Sequence, residues 1–129
     1  EYAMIGDGEM IFKPFVLNNL YTQVLSFLNI NTDIEVRKYG FRDACSRLVE
    51  VAEKLSLPTG YNMVVTEKQT SVDGKAAAFS GTLKQNGNKL MVDTRLSLNK
   101  RIYTAADWKE YRESVNAYKS YGEYIVIRK

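Results

Sequence analysis

Histidine is absent from the 129 residues, cysteine occurs once and proline twice. Without an imidazole there is no Ser-His-Asp or Cys-His arrangement, no His-ligated zinc or iron and no histidine general base. A lone thiol, Cys45, excludes thiolate metal cages and an internal disulfide, and it fits either redox compartment. No apolar run approaches the roughly 18 residues of a membrane-spanning helix, and the opening Glu1-Tyr2-Ala3-Met4 lacks the basic and apolar regions of a signal peptide. Eighteen basic against fifteen acidic side chains leave a net charge of +3, too small an excess for a nucleic-acid footprint. No cofactor, metal or nucleic acid is therefore expected. The chain opens on Glu1 instead of Met, as a piece of a longer polypeptide does.

What is present describes one folded domain over 1–129. Its length suits a single core of about 100 to 200 residues, and 45% hydrophobic with 26% charged residues is a globular composition. Neither a repeat nor a low-complexity linker interrupts it. Glu9-Met10-Ile11-Phe12-Lys13 is β-prone and stopped by Pro14, which predicts an edge strand or lead-in. Leu20, Tyr21, Val24, Leu25 and Leu28 recur at helical spacing, with Asn18 or Asn19 as a cap. Alternation of Ile34 and Val36 with Glu35 and Arg37 predicts a half-buried strand over Asp33 to Tyr39. Arg47 to Leu57 fits either a helix or a strand with Glu53 misplaced. Leu57-Pro58-Thr59-Gly60-Tyr61 is a turn, and Tyr61 to Glu67 is again β-prone.

Asn86-Gly87 is the favoured pair for a two-residue type I′ hairpin, which sets Leu83 opposite Leu90, Gly81 opposite Val92, Phe79 opposite Thr94 and Ala77 opposite Leu96. All fall on one largely apolar face, leaving Ser80, Thr82, Lys84, Asp93, Arg95 and Ser97 to solvent. The period then changes. Thr104 and Asp107 have capping-box spacing, and Trp108, Tyr111, Val115 and Tyr118 form one apolar helix stripe, with Gly122 as the breaker. Tyr124-Ile125-Val126-Ile127 has no polar alternate, the pattern of a strand covered on both faces.

Candidate chemistry is sparse. Cys45 has Arg42 and Arg47 near in sequence but no base, so a packed or incidental thiol is expected. Asp7 with Glu9, and Glu50 with Glu53, are the carboxylate pairs to consider, and nothing marks a cleft around either. Gly6-Asp7-Gly8 lacks the strand and helix of a phosphate cradle and reads as a turn. Two clusters, Arg37-Lys38-Tyr39-Gly40-Phe41-Arg42 and Lys100-Arg101-Ile102-Tyr103, interleave cations with aromatics, a composition suited to anionic or sugar ligands. Nine tyrosines exceed the needs of the core and place some at a surface or interface. Arg37, Lys38, Tyr39, Arg42, Tyr111 and Tyr118 are the candidate ligand or domain contacts.

Arg37-Lys38-Tyr39, Leu57-Pro58-Thr59-Gly60-Tyr61, Leu96-Ser97-Leu98-Asn99-Lys100, the helix around Trp108-Lys109-Glu110-Tyr111-Arg112 and the terminal Glu123-Tyr124-Ile125-Val126-Ile127-Arg128-Lys129 follow one another in an order that is familiar. Over roughly residues 30 to 129 the chain resembles the C-terminal β-rich domain of uncharacterised function that follows a transglutaminase-like domain in exported Bacteroidetes proteins. The resemblance implies that Arg47 to Leu57 is a strand, and that catalytic Cys, His and Asp belong to an upstream domain with no counterpart here. It further implies a periplasmic or extracellular location, and a partner in that upstream domain with a peptide or glycan in reach. The expected fold is mainly β: an antiparallel sandwich of about six or seven strands over 31–129, immunoglobulin-like in general architecture, after a lead-in over 1–30. One C-terminal helix, Ala105 to Tyr118, is expected over an edge or end of the sandwich, before the last strand. The function so implied is that of a non-catalytic accessory domain. A free-standing module for carbohydrate or peptidoglycan fragments is the alternative, and it calls for a row of exposed tyrosines with Arg or Lys.

Overall fold

The structure, a computed structural model, describes residues 3–20, 30–64 and 67–129. Among them are ten strands, β1 (Ala3–Gly6), β2 (Glu9–Phe12), β3 (Phe41–Arg42), β4 (Arg47–Ser56), β5 (Asn62–Met63), β6 (Lys68–Val72), β7 (Ala77–Asn86), β8 (Lys89–Leu98), β9 (Ile102–Tyr103) and β10 (Ile125–Arg128), and two helices, α1 (Phe15–Leu20) and α2 (Trp108–Tyr121). All strand pairs are antiparallel. They form a large sheet ordered β4-β8-β7-β6, a small sheet ordered β1-β2-β10-β5, and the two-stranded β3-β9. The expected mainly-β antiparallel fold, with one helix before the last strand, is what forms.

The inner face of the large sheet carries Val51, Ala77, Phe79, Leu83, Leu90, Val92, Leu96 and Leu98, which share one core with Phe12, Ile125 and Ile127 of the small sheet. Helix α2 fills the remaining layer with Trp108, Tyr111, Val115, Tyr118 and Tyr121, all buried. It lies across β7, β8 and β6 and so covers a sheet face, not an edge or end. A face of three strands accepts the whole width of its aromatic stripe, which an edge would not. A 3₁₀ turn, Ala105–Asp107, precedes it, and the Thr104 N–H donates to Asp107 Oδ2 at 2.8 Å, closing the expected capping box. The helix runs three residues past Tyr118 and stops before Gly122.

Arg47–Ser56 is strand β4, paired along its length with β8. Glu53, awkward in a strand pattern, points inward and is buried, and its carboxylate accepts the N–H groups of Phe15 (2.9 Å), Val16 (3.4 Å) and Leu17 (3.5 Å). The misplaced charge is thus the N-terminal cap of α1. Asn18 and Asn19 lie inside that helix and do not cap it. The remainder of the expected helical stripe, positions 21–29, lies outside the described residues.

Four other expectations are corrected. The hairpin turn is Gly87-Asn88, one residue later than Asn86-Gly87, with Asn86 opposite Lys89. Leu83 therefore faces Val92, Phe79 faces Leu96 and Ala77 faces Leu98. Among these residues only Gly87 has positive φ, +60°, as the first central residue of a type II′ turn requires, whereas type I′ needs it at both. The pairing shifts by two, an even number, so the apolar face is unchanged. β2 is not an edge strand, since it sits between β1 and β10, joined to β1 through Asp7-Gly8, and ends before Pro14. Asp33 to Tyr39 forms no strand and has no ladder partner; Ile34 and Val36 are exposed there. In β10, Ile125 and Ile127 are buried but Val126 is only half-buried, so one face is covered rather than two.

Candidate functional site

The two cation–aromatic clusters, some sixty residues apart in the chain, meet through β3 and β9. Phe41 pairs with Tyr103 and Arg42 with Ile102. The approach is close enough that a Cβ on Gly40 would stand 2.5 Å from the Tyr103 carbonyl oxygen, which explains glycine between Tyr39 and Phe41. Phe41 stacks on Tyr103 (centroids 4.7 Å apart, planes at 4°) and meets Trp108 and Tyr111 edge-on at 5.3 and 4.9 Å. Such offset and edge contacts suit the ring quadrupoles. The Arg37 guanidinium lies 4.8 Å from the centres of both Phe41 and Trp108, and its Nη1 is buried without a hydrogen-bond partner.

The irregular segment before β3 is held down by α2. Trp108 Nε1 donates to the Ile34 carbonyl at 2.9 Å, Arg112 Nε to the Thr32 carbonyl at 2.9 Å, and Lys119 Nζ to Thr32 Oγ1 at 2.7 Å. These bonds replace the strand ladder that the alternating pattern suggests, and they turn Val36 (81% exposed), Lys38 and Tyr39 (73% exposed) outward. Arg42, Arg101 and Ile102 complete an exposed basic and apolar surface.

Behind it lies Asp43, buried, ion-paired with Arg47 at 3.1 Å and accepting the Ala44 N–H at 2.6 Å, while the Asp43 N–H donates to the Arg101 carbonyl. The hydrogen bond to Asp43 holds the Arg47 guanidinium more firmly protonated than usual. Burial raises the Tyr111 phenol far above its ordinary range, and the Asp43 charge adds to the rise. Asp43 Oδ2 and the Tyr111 hydroxyl have no hydrogen-bond partner. The Asp43–Arg47 pair was not singled out from the sequence, because an i, i+4 spacing brings side chains together on a helix and this segment is not one.

Of the six sequence candidates, Arg37, Lys38, Tyr39 and Arg42 come together here. Tyr111 and Tyr118 do not reach any surface: both are packed in the core, because the aromatic stripe faces the sheet, and the burial that raises Tyr111 also pushes the Tyr118 phenol up to about 12. Phe41 and Ile102, within the two clusters but not among the six candidates, are additional members, and so is Val36, which the sequence did not single out.

Of the carboxylate pairs considered from sequence, Glu50 and Glu53 are pulled apart, whereas Asp7 and Glu9 line one depression at the β1–β2 turn. Glu50 and Glu53, three residues apart on one strand, point to opposite faces; Glu50 lies 3.5 Å from Arg95 outside, and Glu53 caps α1 inside. Glu9 pairs with Arg128, and Asp7 sits in the hairpin turn. Asp107 is held below the usual carboxylate range by the Thr104 N–H and by Lys100, 2.9 Å away. Glu110 accepts the Ala76 N–H at 2.8 Å. Apart from Asp7, these carboxylates are bound into the architecture by the partners just named. Cys45 is exposed. No group of metal-binding side chains forms among the described residues, and no helix among them is long and apolar enough to cross a membrane.

With its twisted antiparallel sheets and single covering helix, the chain belongs to DUF3858, a domain family of unknown function with a solved structure, whose profile matches residues 8–127. Its fold is similar to part of the crystal structure of a candidate protease from Parabacteroides distasonis ATCC 8503, with a TM-score of 0.67 at 15% identity over 82% of this chain. The chain spans only 21% of that protein's length. No curated protein matches the sequence.

Proposed function

We propose that this chain is a non-catalytic accessory domain of a longer polypeptide, packing on or positioning an upstream transglutaminase-like or peptidase-like catalytic domain and offering the Arg37–Arg42 surface to its peptide substrate. The observation that carries the reading is the occurrence of a similar fold as about a fifth of a candidate protease chain. Two local features support it: the carboxylates named above, Asp7 excepted, have structural partners, and the one thiol has no histidine to activate it. An exported location, periplasmic or extracellular, follows from the same reading. The glycan-binding alternative needs a row of exposed tyrosines. Tyr39, beside Lys38, precedes β3, and Tyr124, beneath Lys13, precedes β10, so the two belong to separate sheets.

The test is steady-state kinetics of the full-length polypeptide on an acidic peptide substrate. Reversing two exposed charges together, Lys38→Glu with Arg42→Glu, is expected to raise KM by roughly tenfold, the equivalent of about 1.4 kcal/mol, with kcat unchanged. Peptide cleavage or amide crosslinking by the isolated 129-residue chain, abolished by Cys45→Ser, would overturn the reading.

A further inference from the structure

The outer face of the small sheet carries a row of aliphatic side chains across β1, β2 and β10, continued by the residue that follows β5. Met4 on β1 pairs with Ile11 on β2, Ile11 with Val126 on β10, and the Val64 N–H, just past β5, donates to the Val126 carbonyl at 3.0 Å. Their neighbours Phe12, Ile125 and Ile127 face the core, so by the strand period of two this row faces away from it. Met4 is 54% and Val64 46% exposed, and Ile11 and Val126 are half-buried. A depression lined by Met4, Ile5 and Ile11 together with Gly6, Asp7 and Glu9 opens at the hairpin end. The rows to either side are settled within the chain: Lys13 lies 4.5 Å over the Tyr124 ring, and Arg128 is paired with Glu9. Among the described residues the middle of the face is thus aliphatic, and charge without an ion-pair or aromatic-ring partner stands only at its hairpin end, on Asp7.

We infer that this row is the docking face for an apolar surface of a neighbouring folded domain in the same polypeptide. The inference rests on the accessory reading and names the surface through which the accessory domain is held. Two considerations select a tethered domain over a second copy. Four side chains, two of them already half-covered, fall short of the roughly 800 Å² per partner that stable complexes between free proteins bury. A neighbour joined by a short linker is present at effective millimolar concentration and needs much less. The similar fold in the Parabacteroides protein is likewise one part of a longer chain. Docking here accounts for Tyr124-Ile125-Val126-Ile127, whose pattern asks for cover on both faces although this chain covers one. It also leaves the basic surface around Arg42 free for substrate.

Methionine oxidation by dilute hydrogen peroxide reads the face directly. Met4 is expected to oxidise roughly tenfold more slowly in the full-length polypeptide than in the 129-residue chain, while Met91, on the outer face of the large sheet, keeps one rate in both. Val126→Lys in the full-length polypeptide is expected to restore the fast rate at Met4, and Val64→Lys, at the more exposed end of the row, serves if Val126→Lys impairs folding. Equal Met4 rates in the two forms would overturn the inference. So would a native polypeptide with no further folded domain, or dimerisation of the isolated chain that Val64→Lys abolishes in sedimentation. Protection of Met4 by a neighbour lacking acyl-transfer or peptidase chemistry would uphold the docking face and sink the accessory reading; unprotected Met4 with a KM response at Lys38 and Arg42 would do the reverse.

Discussion

Glu53, in the middle of strand β4, accepts the backbone N–H of Phe15 at 2.9 Å from a position with almost no solvent exposure. One carboxylate joins the edge of the large sheet to the first turn of α1, and its charge lies where the N–H groups of a helix start are otherwise unpaired.

Glu53→Ala removes the shared acceptor of those N–H groups, of which that of Leu17 is buried, so a loss of about 1 to 3 kcal/mol is expected in urea unfolding. Glu53→Gln keeps an acceptor and is expected to lose less than half as much. Equal stability of Glu53→Ala and the parent protein would show that the contact contributes nothing.

Trp108 is fully enclosed between Phe41, Tyr111 and the Arg37 guanidinium. Its fluorescence is expected to be blue-shifted and resistant to iodide in the folded chain. Trp108→Ala is expected to cost about 3 to 5 kcal/mol, a large part of the roughly 5 to 15 that holds such a domain together. Emission at the wavelength of free tryptophan would contradict its place in the core.

The hairpin makes a prediction about two adjacent residues. Gly87, at φ +60°, is expected to lose about 1 kcal/mol or more on replacement by Ala, while Asn86→Ala, within the ladder, changes stability by less than half of that. A loss on Asn86→Ala as large as that on Gly87→Ala would place the turn at Asn86-Gly87, where both residues need positive φ.

Burial raises the folded-state pKa of Tyr103, Tyr111 and Tyr118, that of Tyr118 to about 12. A raised value means that the folded chain holds the phenolic proton more tightly than the unfolded one. The resulting stabilisation is complete below the ordinary phenol pKa of about 10 and is lost as pH rises through the folded values. Urea midpoints are expected to show no phenol-linked loss below pH 9 and to fall between about pH 10 and 12. Tyr111→Phe removes a buried hydroxyl that has no hydrogen-bond partner, so at neutral pH it is expected to be neutral or stabilising. A Tyr111→Phe protein markedly weaker than the parent would show that the hydroxyl is bonded.

Local patterns were sufficient wherever a residue's partner lay close in the chain or its face followed from a simple period. The alternating β7 and β8, the stripe from Trp108 to Tyr118 and the capping of Thr104 by Asp107 are of this kind. The absence of histidine likewise settled, before any fold was known, which catalytic arrangements the chain cannot build. Tertiary structure decided what depends on pairing. An even slip in the hairpin leaves every side chain on its face, so no hydrophobic pattern distinguishes the two registers; the backbone at Asn86, which lacks the positive φ of a type I′ turn, does. Asp33 to Tyr39 alternates like a strand, but a strand also needs a ladder partner, and the hydrogen bonds from Trp108 and Arg112 hold it as a loop instead. Glu53 looked misplaced because its partners, the N–H groups at Phe15 to Leu17, are far away in sequence. The joining of Phe41 with Tyr103, and the exposure of Val126 beside buried Ile125 and Ile127, also rest on which strands meet, which is decided by burying one shared core and not by any segment alone.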